Sequence, residues 1–322
     1  MRNIIAYFLF VILCTSCTIT GKKQFYTVEL LQDPYFKNGL AVSPLSPDIV
    51  QQSGGFKNAN TDTLYFRQKS CAPIWQLAQW WSRYDLKKSV SIIQTEDNTY
   101  TYSNPGKTVR LSGKTLLLDV KASNEYKHPR QINEPWVHLL IQQDFSQQPN
   151  IGQLEALFLQ MNLRITHCEN KMPADAYDES LHTAQSPFYF YLKNNNPQSK
   201  DFNSALWVGI PSFDYRYKTL AKEPTIHWDK GTSTYIYTIP PQLLWGDISF
   251  HDFKWHKLYS DILPYIRQAV AAMQEKGEFS DTSLNDLIIT GMNFGWEIPG
   301  TFDAGLEIKN IRIRMQQERR QK

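Results

Sequence analysis

The chain has 322 residues, of which 42% are hydrophobic, 20% charged and 13% aromatic, and 34 Lys and Arg stand against 31 Asp and Glu. So even a balance excludes an electrostatic nucleic-acid binder, and so high an apolar content excludes a disordered chain. A chain of this length buries roughly 75% of the surface its unfolded form exposes, so it needs neither a disulfide scaffold nor a structural metal to fold.

In chain order, the first feature is a leader. Met1-Arg2-Asn3 carries one cation, and the apolar run from Ile4 to Leu13 has the length of a secretory core. It is too short for the roughly 20 apolar residues that span a bilayer. Thr15-Ser16-Cys17 follows and resembles the lipobox of bacterial lipoproteins. The resemblance implies removal of residues 1–16, acylation of Cys17, and a lipid-anchored place in the cell envelope, at the outer membrane. Cys14 stands where that family usually has an aliphatic residue. Residues 17–60, rich in Pro, Gly, Ser, Gln and Asn, read as anchor, tether and irregular lead-in. Cys71 and Cys168 are either one disulfide or two buried thiols, and neither has metal-ligand spacing.

From 61 to 315 short β-branched and aromatic runs alternate with turns, which predicts one domain, followed by a basic tail over 316–322. The clear strands are Asn98–Ser103, Val109–Val120, Trp136–Phe145, Pro187–Lys193, Ala205–Phe213, Thr234–Ile239, Leu287–Ile298 and Ala304–Met315. In the last, Leu306 and Ile308 alternate one residue out of step with Ile311, Ile313 and Met315, so a bulge is expected near Asn310. Two segments carry helical spacing. Cys71–Tyr84 places Ile74, Leu77, Trp81 and Tyr84 three and four apart, and the segment 262–276 carries the stripe Ile262, Tyr265/Ile266, Ala269/Val270 and Met273. Many strands with two peripheral helices predict a mainly β fold, a jelly-roll β-sandwich of two antiparallel sheets. Glycine-rich phosphate loops, the Gly-x-Ser-x-Gly elbow and His-Glu-x-x-His are all missing from the sequence.

What remains is aromatic and polar clustering. Phe188, Phe190 and Leu192 share one strand face, which leaves Tyr189 and Tyr191 on the other. A tyrosine ring can stack on the C–H face of a sugar while its hydroxyl hydrogen-bonds, although core packing explains the same residues. Trp207, Phe213, Tyr215 and Tyr217 share one parity and Asp214 and Arg216 the other, where the charged pair can grip a polyhydroxylated ligand or simply form an ion pair. Trp136, His138, Leu140 and Gln142 share a face, which aims His138 at a site or buries it as a satisfied histidine. Glu297 and Asp303 are the kind of hard ligands a structural Ca²⁺ takes; no other cofactor is expected.

The stretches Trp136–Phe145, Leu206–Arg216, the 262–273 helix and Ile289–Asp303 together resemble a family of bacterial exported jelly-roll proteins, similar to carbohydrate-binding and glycan-active β-sandwiches. The resemblance spans about residues 130–315 and implies a concanavalin-like or galactose-binding-like sandwich used in polysaccharide handling. It brings no catalytic residues with it. The Glu-x-Asp-x-x-Glu strand of sandwich glycosidases is absent, and Val137-His138 does not match the Gln-x-His strand of alginate-lyase sandwiches. The leading expectation is therefore a lipid-anchored envelope protein that binds carbohydrate through Trp136, His138, Tyr189, Tyr191, Trp207, Asp214, Tyr215 and Arg216. One rival is a glycan-active enzyme drawing acid and base from His138, Asp214 and Glu297. The other is a non-catalytic assembly lipoprotein whose aromatics contact protein. No nucleic-acid partner is expected.

Overall fold

The computed structural model describes residues 24–67, 71–87, 92–96 and 98–319. The leader and the Cys17 anchor lie outside the described residues. The strands in the first half are β1 (Phe25–Glu29), β2 (Leu40–Val42), β3 (Asp62–Leu64), β4 (Trp75–Ala78), β5 (Ile92–Glu96), β6 (Thr99–Ser103), β7 (Lys107–Ser112), β8 (Thr115–Lys121) and β9 (Val137–Asp144). Those in the second half are β10 (Ala156–Asn170), β11 (Gln185–Asn194), β12 (Ala205–Asp214), β13 (Thr225–Asp229), β14 (Thr234–Thr238), β15 (His256–Asp261), β16 (Leu287–Ile298) and β17 (Phe302–Glu318). The helices are α1 (Pro47–Gln52), α2 (Phe56–Ala59), α3 (Ala122–Glu125), α4 (Pro241–Trp245) and α5 (Leu263–Glu275).

These strands make a two-sheet β-sandwich of jelly-roll type. One sheet runs β15-β10-β17-β8-β7-β6-β5, with β1 added along the end of β17; the other, nine-stranded, runs β13-β14-β12-β11-β16-β9-β4-β2-β3. Pairing is antiparallel except for β2 with β4 and β12 with β14. Period-two alternation drives the packing. On β17, Leu306 and Ile308 and then Ile311, Ile313 and Met315 point into the core, and the register slips between them where Asn310 takes a positive φ of 57°. This is the bulge that the sequence pattern requires. On β16, Phe294, Trp296 and Ile298 face inward, and the Trp296 indole N–H donates to the Leu118 carbonyl of β8 at 3.1 Å, a hydrogen bond across the sandwich. Helix α5 buries Ile266, Ala269, Val270 and Met273 in the same core, and Ile262 N–H, just before it, donates to the Leu157 carbonyl of β10.

Three expectations are corrected. Cys71–Tyr84 is not a helix: it contains β4, with Trp75 and Leu77 buried toward the core and Gln76 on the opposite face. Val109–Val120 is a hairpin, β7 and β8, broken at Gly113. Residues 24–60, read as tether and lead-in, supply β1, β2, α1 and α2 and bury Leu30, Leu31, Phe36 and Leu40. Helix α2 also lays Phe56 on Ala41, Ala78 and Leu140, and so covers one end of the outer face of the nine-stranded sheet. Cys71 and Cys168 are both free thiols; Cys71 is exposed, and burial pushes the Cys168 thiol up.

Candidate functional site

The rest of that outer face is built by register. Trp207, Tyr191, Gly291 and Asp144 form one row across β12, β11, β16 and β9, and Gly209, Tyr189, Asn293, Gln142 and, on β4, Gln76 form the next. A further row brings Gln185 beside Glu297 and Glu297 beside His138. The glycine in the second row has a steric purpose: a Cβ on Gly209 would come within 2.9 Å of the Tyr189 ring. That ring lies over β12 and meets Trp207 edge-on at 5.8 Å, while Tyr191 lies 4.6 Å from the same indole. At the other end of the face, His138 sits between Trp80 and Trp136, 5.7 Å from each ring. The Arg130 guanidinium covers Trp136 from 5.1 Å.

The polar groups here are unevenly satisfied. The indole nitrogens of Trp80, Trp136 and Trp207 and the side-chain carbonyl of Asn293 are buried without a partner in the protein. Buried polar groups normally find partners, and one left without costs about 1–3 kcal/mol. His138 Nδ1 lies 2.8 Å from the Trp136 carbonyl. A carbonyl only accepts, so Nδ1 holds the proton and Nε2 keeps its lone pair. Burial drives the imidazole down to about 4, against the opposing pull of that hydrogen bond and of the Asp229 charge, so it is neutral at physiological pH. Glu297 accepts from the Gln185 amide at 2.9 Å. Burial pushes its carboxyl up to about 7, only partly offset by Gln185 and reinforced by Asp229. Burial also drives the Tyr189 phenol far up.

Asp229 is four strands from Glu297 along the sheet, yet its charge acts on Glu297, His138 and Tyr189. The Asp229 carboxylate is fixed by Gly231 N–H at 3.3 Å, Thr232 N–H at 2.9 Å and the Thr232 hydroxyl at 2.6 Å. Glu297, its carboxyl raised by burial to about 7, thus lies on an aromatic-lined face.

Of the residues expected from sequence, Tyr189, Tyr191 and Trp207 cluster at one end of this face and Trp136 and His138 at the other. Asp214, Tyr215 and Arg216 do not join them. The register slips between Ser186 and Pro187, a bulge that reverses the face of β12 beyond Pro211 and turns Phe213 inward onto Trp296 at 5.9 Å. Asp214 is spent on Arg216, through Nε at 2.9 Å and Nη2 at 2.6 Å, and on the Thr183 hydroxyl at 2.6 Å. Tyr215 packs on Phe302 at 4.7 Å. The calcium pair is likewise corrected. Glu297 lies on the outer face of the nine-stranded sheet, whereas Asp303 belongs to the other sheet and accepts from Ser123 N–H and hydroxyl at 3.0 Å. No group of three or more His, Cys, Asp or Glu able to hold a metal occurs among the described residues. Sequence reasoning missed Trp80, Gln185, Asn293 and Asp229; only Trp80, in an aromatic pair with Trp81, carried any visible signal.

No protein-family model matches the chain, and no curated protein matches its sequence. Among solved structures, it is similar to the endoglucanase Cel12A of Rhodothermus marinus, at 10% identity and a TM-score of 0.39 over 71% of this chain and 100% of that one. A family 12 xyloglucanase from Bacillus licheniformis is similar at 11% identity and a TM-score of 0.38, over 71% of this chain and 96% of that one. A family 11 xylanase from Neocallimastix patriciarum is similar at 9% identity and a TM-score of 0.38, over 70% and 95%. Likeness at this level says nothing of activity.

Proposed function

We propose that this protein is glycan-active: a saccharide chain lies along the outer face of the nine-stranded sheet, and Glu297 protonates a glycosidic oxygen there. The observation that carries the reading is the set of four buried polar atoms without partners among the described residues, on Trp80, Trp136, Trp207 and Asn293, along the face that carries Glu297. Three indole donors, one amide acceptor and flat ring faces match a ligand that offers many hydroxyls and apolar C–H faces. Glu297 raises hydrolysis above binding alone. Glycoside hydrolysis calls for two carboxyl groups, and Glu297, raised to about 7, serves as the acid, with Asp229, whose charge acts on it, as the second group in this reading. In this reading Glu297 gives its proton to the leaving oxygen as the C–O bond breaks, and Asp229 takes a proton from the water that adds. His138, neutral and fixed by the Trp136 carbonyl, accepts a sugar hydroxyl at Nε2.

The test is release of reducing ends from a panel of neutral glucans, xylans and mannans, with binding measured in parallel. Glu297→Gln and Asp229→Asn should each lower release by at least about a thousandfold while affinity persists. Saccharide binding by the wild type with no release from any polysaccharide would reduce the reading to a binding protein. Absence of both would overturn it.

A further inference from the structure

The outer face of the opposite, eight-stranded sheet carries a second built surface. One straight row across β10, β17, β8 and β7 aligns Arg164, Glu307, Leu117 and Arg110. Glu307 holds the two guanidiniums apart, accepting from Arg164 Nη2 at 2.5 Å and lying 3.8 Å from Arg110. Arg164 Nε is buried with no protein partner, and the Arg110 side chain is 41% exposed. The adjacent Trp255 ring takes Lys309 at 4.0 Å and Arg164 at 5.1 Å against its face. A depression of about 370 Å³ opens here, lined by Thr99, Arg110, Ser112, Thr115, Trp255 and Glu307.

We infer that this depression binds an acidic saccharide, its carboxylate or sulfate on Arg110 and its ring hydroxyls on Thr99, Ser112, Thr115 and Glu307. Arg110, Arg164 and Lys309 outnumber Glu307 and Asp119, the second carboxyl group whose charge interacts with Arg110, so the surface is net positive, and Arg110 keeps guanidinium donors free for an oxyanion. The Glu307 carboxylate at the floor opposes a compact polyanion such as a phosphate cluster, but it accepts readily from a sugar hydroxyl. Trp255 supplies the wall against which a ring's apolar edge packs. The inference does not depend on the function proposed for the other sheet.

Calorimetry with an oligogalacturonate, a sulfated oligosaccharide and a neutral oligosaccharide of equal length tests it. At least one acidic probe should bind at least about tenfold more tightly than the neutral one, with affinity falling as salt rises. Arg110→Gln should lose about tenfold, and Arg110→Lys should keep the salt dependence while losing affinity, because a point charge does not replace the planar fork. Trp255→Ala should weaken binding of the acidic probes. Neutral-probe binding that Arg110→Gln weakens as much as acidic-probe binding, no binding of either acidic probe, or indifference of the acidic probes to Arg110→Gln would overturn the inference. Binding to vesicles of anionic lipid in the absence of oligosaccharide binding would instead make this a membrane-facing surface.

Discussion

Glu297 and His138 face each other across β16 and β9, and burial moves them in opposite directions, to about 7 and to about 4. Each shift makes folding stability depend on pH. Between 4.5 and about 7 the folded chain keeps the Glu297 proton that the unfolded chain has released, so stability falls as pH rises through that window. Between about 4 and 6.5 the unfolded chain binds a His138 proton that the folded chain refuses, so stability rises with pH there. At about 1.4 kcal/mol per pH unit, each contribution is worth about 3 kcal/mol, and in the wild type they largely cancel. Glu297→Gln keeps the shape and removes one of them. This variant should gain about 3 kcal/mol relative to wild type on going from about pH 4 to about pH 8. His138→Gln removes the other and should lose about 3 kcal/mol relative to wild type over the same interval. Urea unfolding followed by tryptophan fluorescence across this range measures both. Parallel pH profiles for the three proteins would refute the burial of this pair and, with it, the acid role given to Glu297.

Trp207→Ala should weaken saccharide binding by at least about tenfold while lowering the melting temperature less than Trp296→Ala, whose core indole is worth about 3–5 kcal/mol; calorimetry and thermal melts on both variants check it. Lys107→Met should cost about 3–5 kcal/mol in chemical denaturation, because it strands the fully buried Glu125 carboxylate that Lys107 pairs at 2.6 Å. Replacing both partners should restore little, since Glu125 also accepts from the Arg83 and Tyr84 N–H groups, which would then have no acceptor. Cys17→Ser should abolish acyl labelling and move the protein to the soluble fraction, and unchanged membrane retention would refute the anchor.

The sandwich was legible wherever a strand alternates cleanly, and the faces of β9 and β11 follow directly from His138 against Leu139 and from Tyr189 against Phe188. Pattern reading failed where two periods coincide. Ile74, Leu77, Trp81 and Tyr84 have helical spacing, yet Trp75 and Leu77 make an equally good strand face, and β-pairing with β9 and β2 decides the matter. Strand β10 was passed over despite the alternation of Leu157, Leu159, Met161, Leu163 and Ile165. In β12 a single bulge next to Pro211 exchanges the two faces, so Trp207 and Phe213 part company although their spacing is even. The site was half legible for a different reason. Its aromatics lie on strands read correctly, whereas Asp229 and Glu297 lie four strands apart in the sheet, and no local pattern relates them.

The central claim is that a saccharide occupies the outer face of the nine-stranded sheet. A crystal structure of Glu297→Gln soaked with an oligosaccharide that the wild type cleaves tests it most directly. The account predicts a chain lying across Trp207, Tyr189 and Trp136, with sugar oxygens accepting from the indole nitrogens of Trp80, Trp136 and Trp207 and a glycosidic oxygen at residue 297. An oligosaccharide bound elsewhere, with those nitrogens still unpartnered, would contradict it.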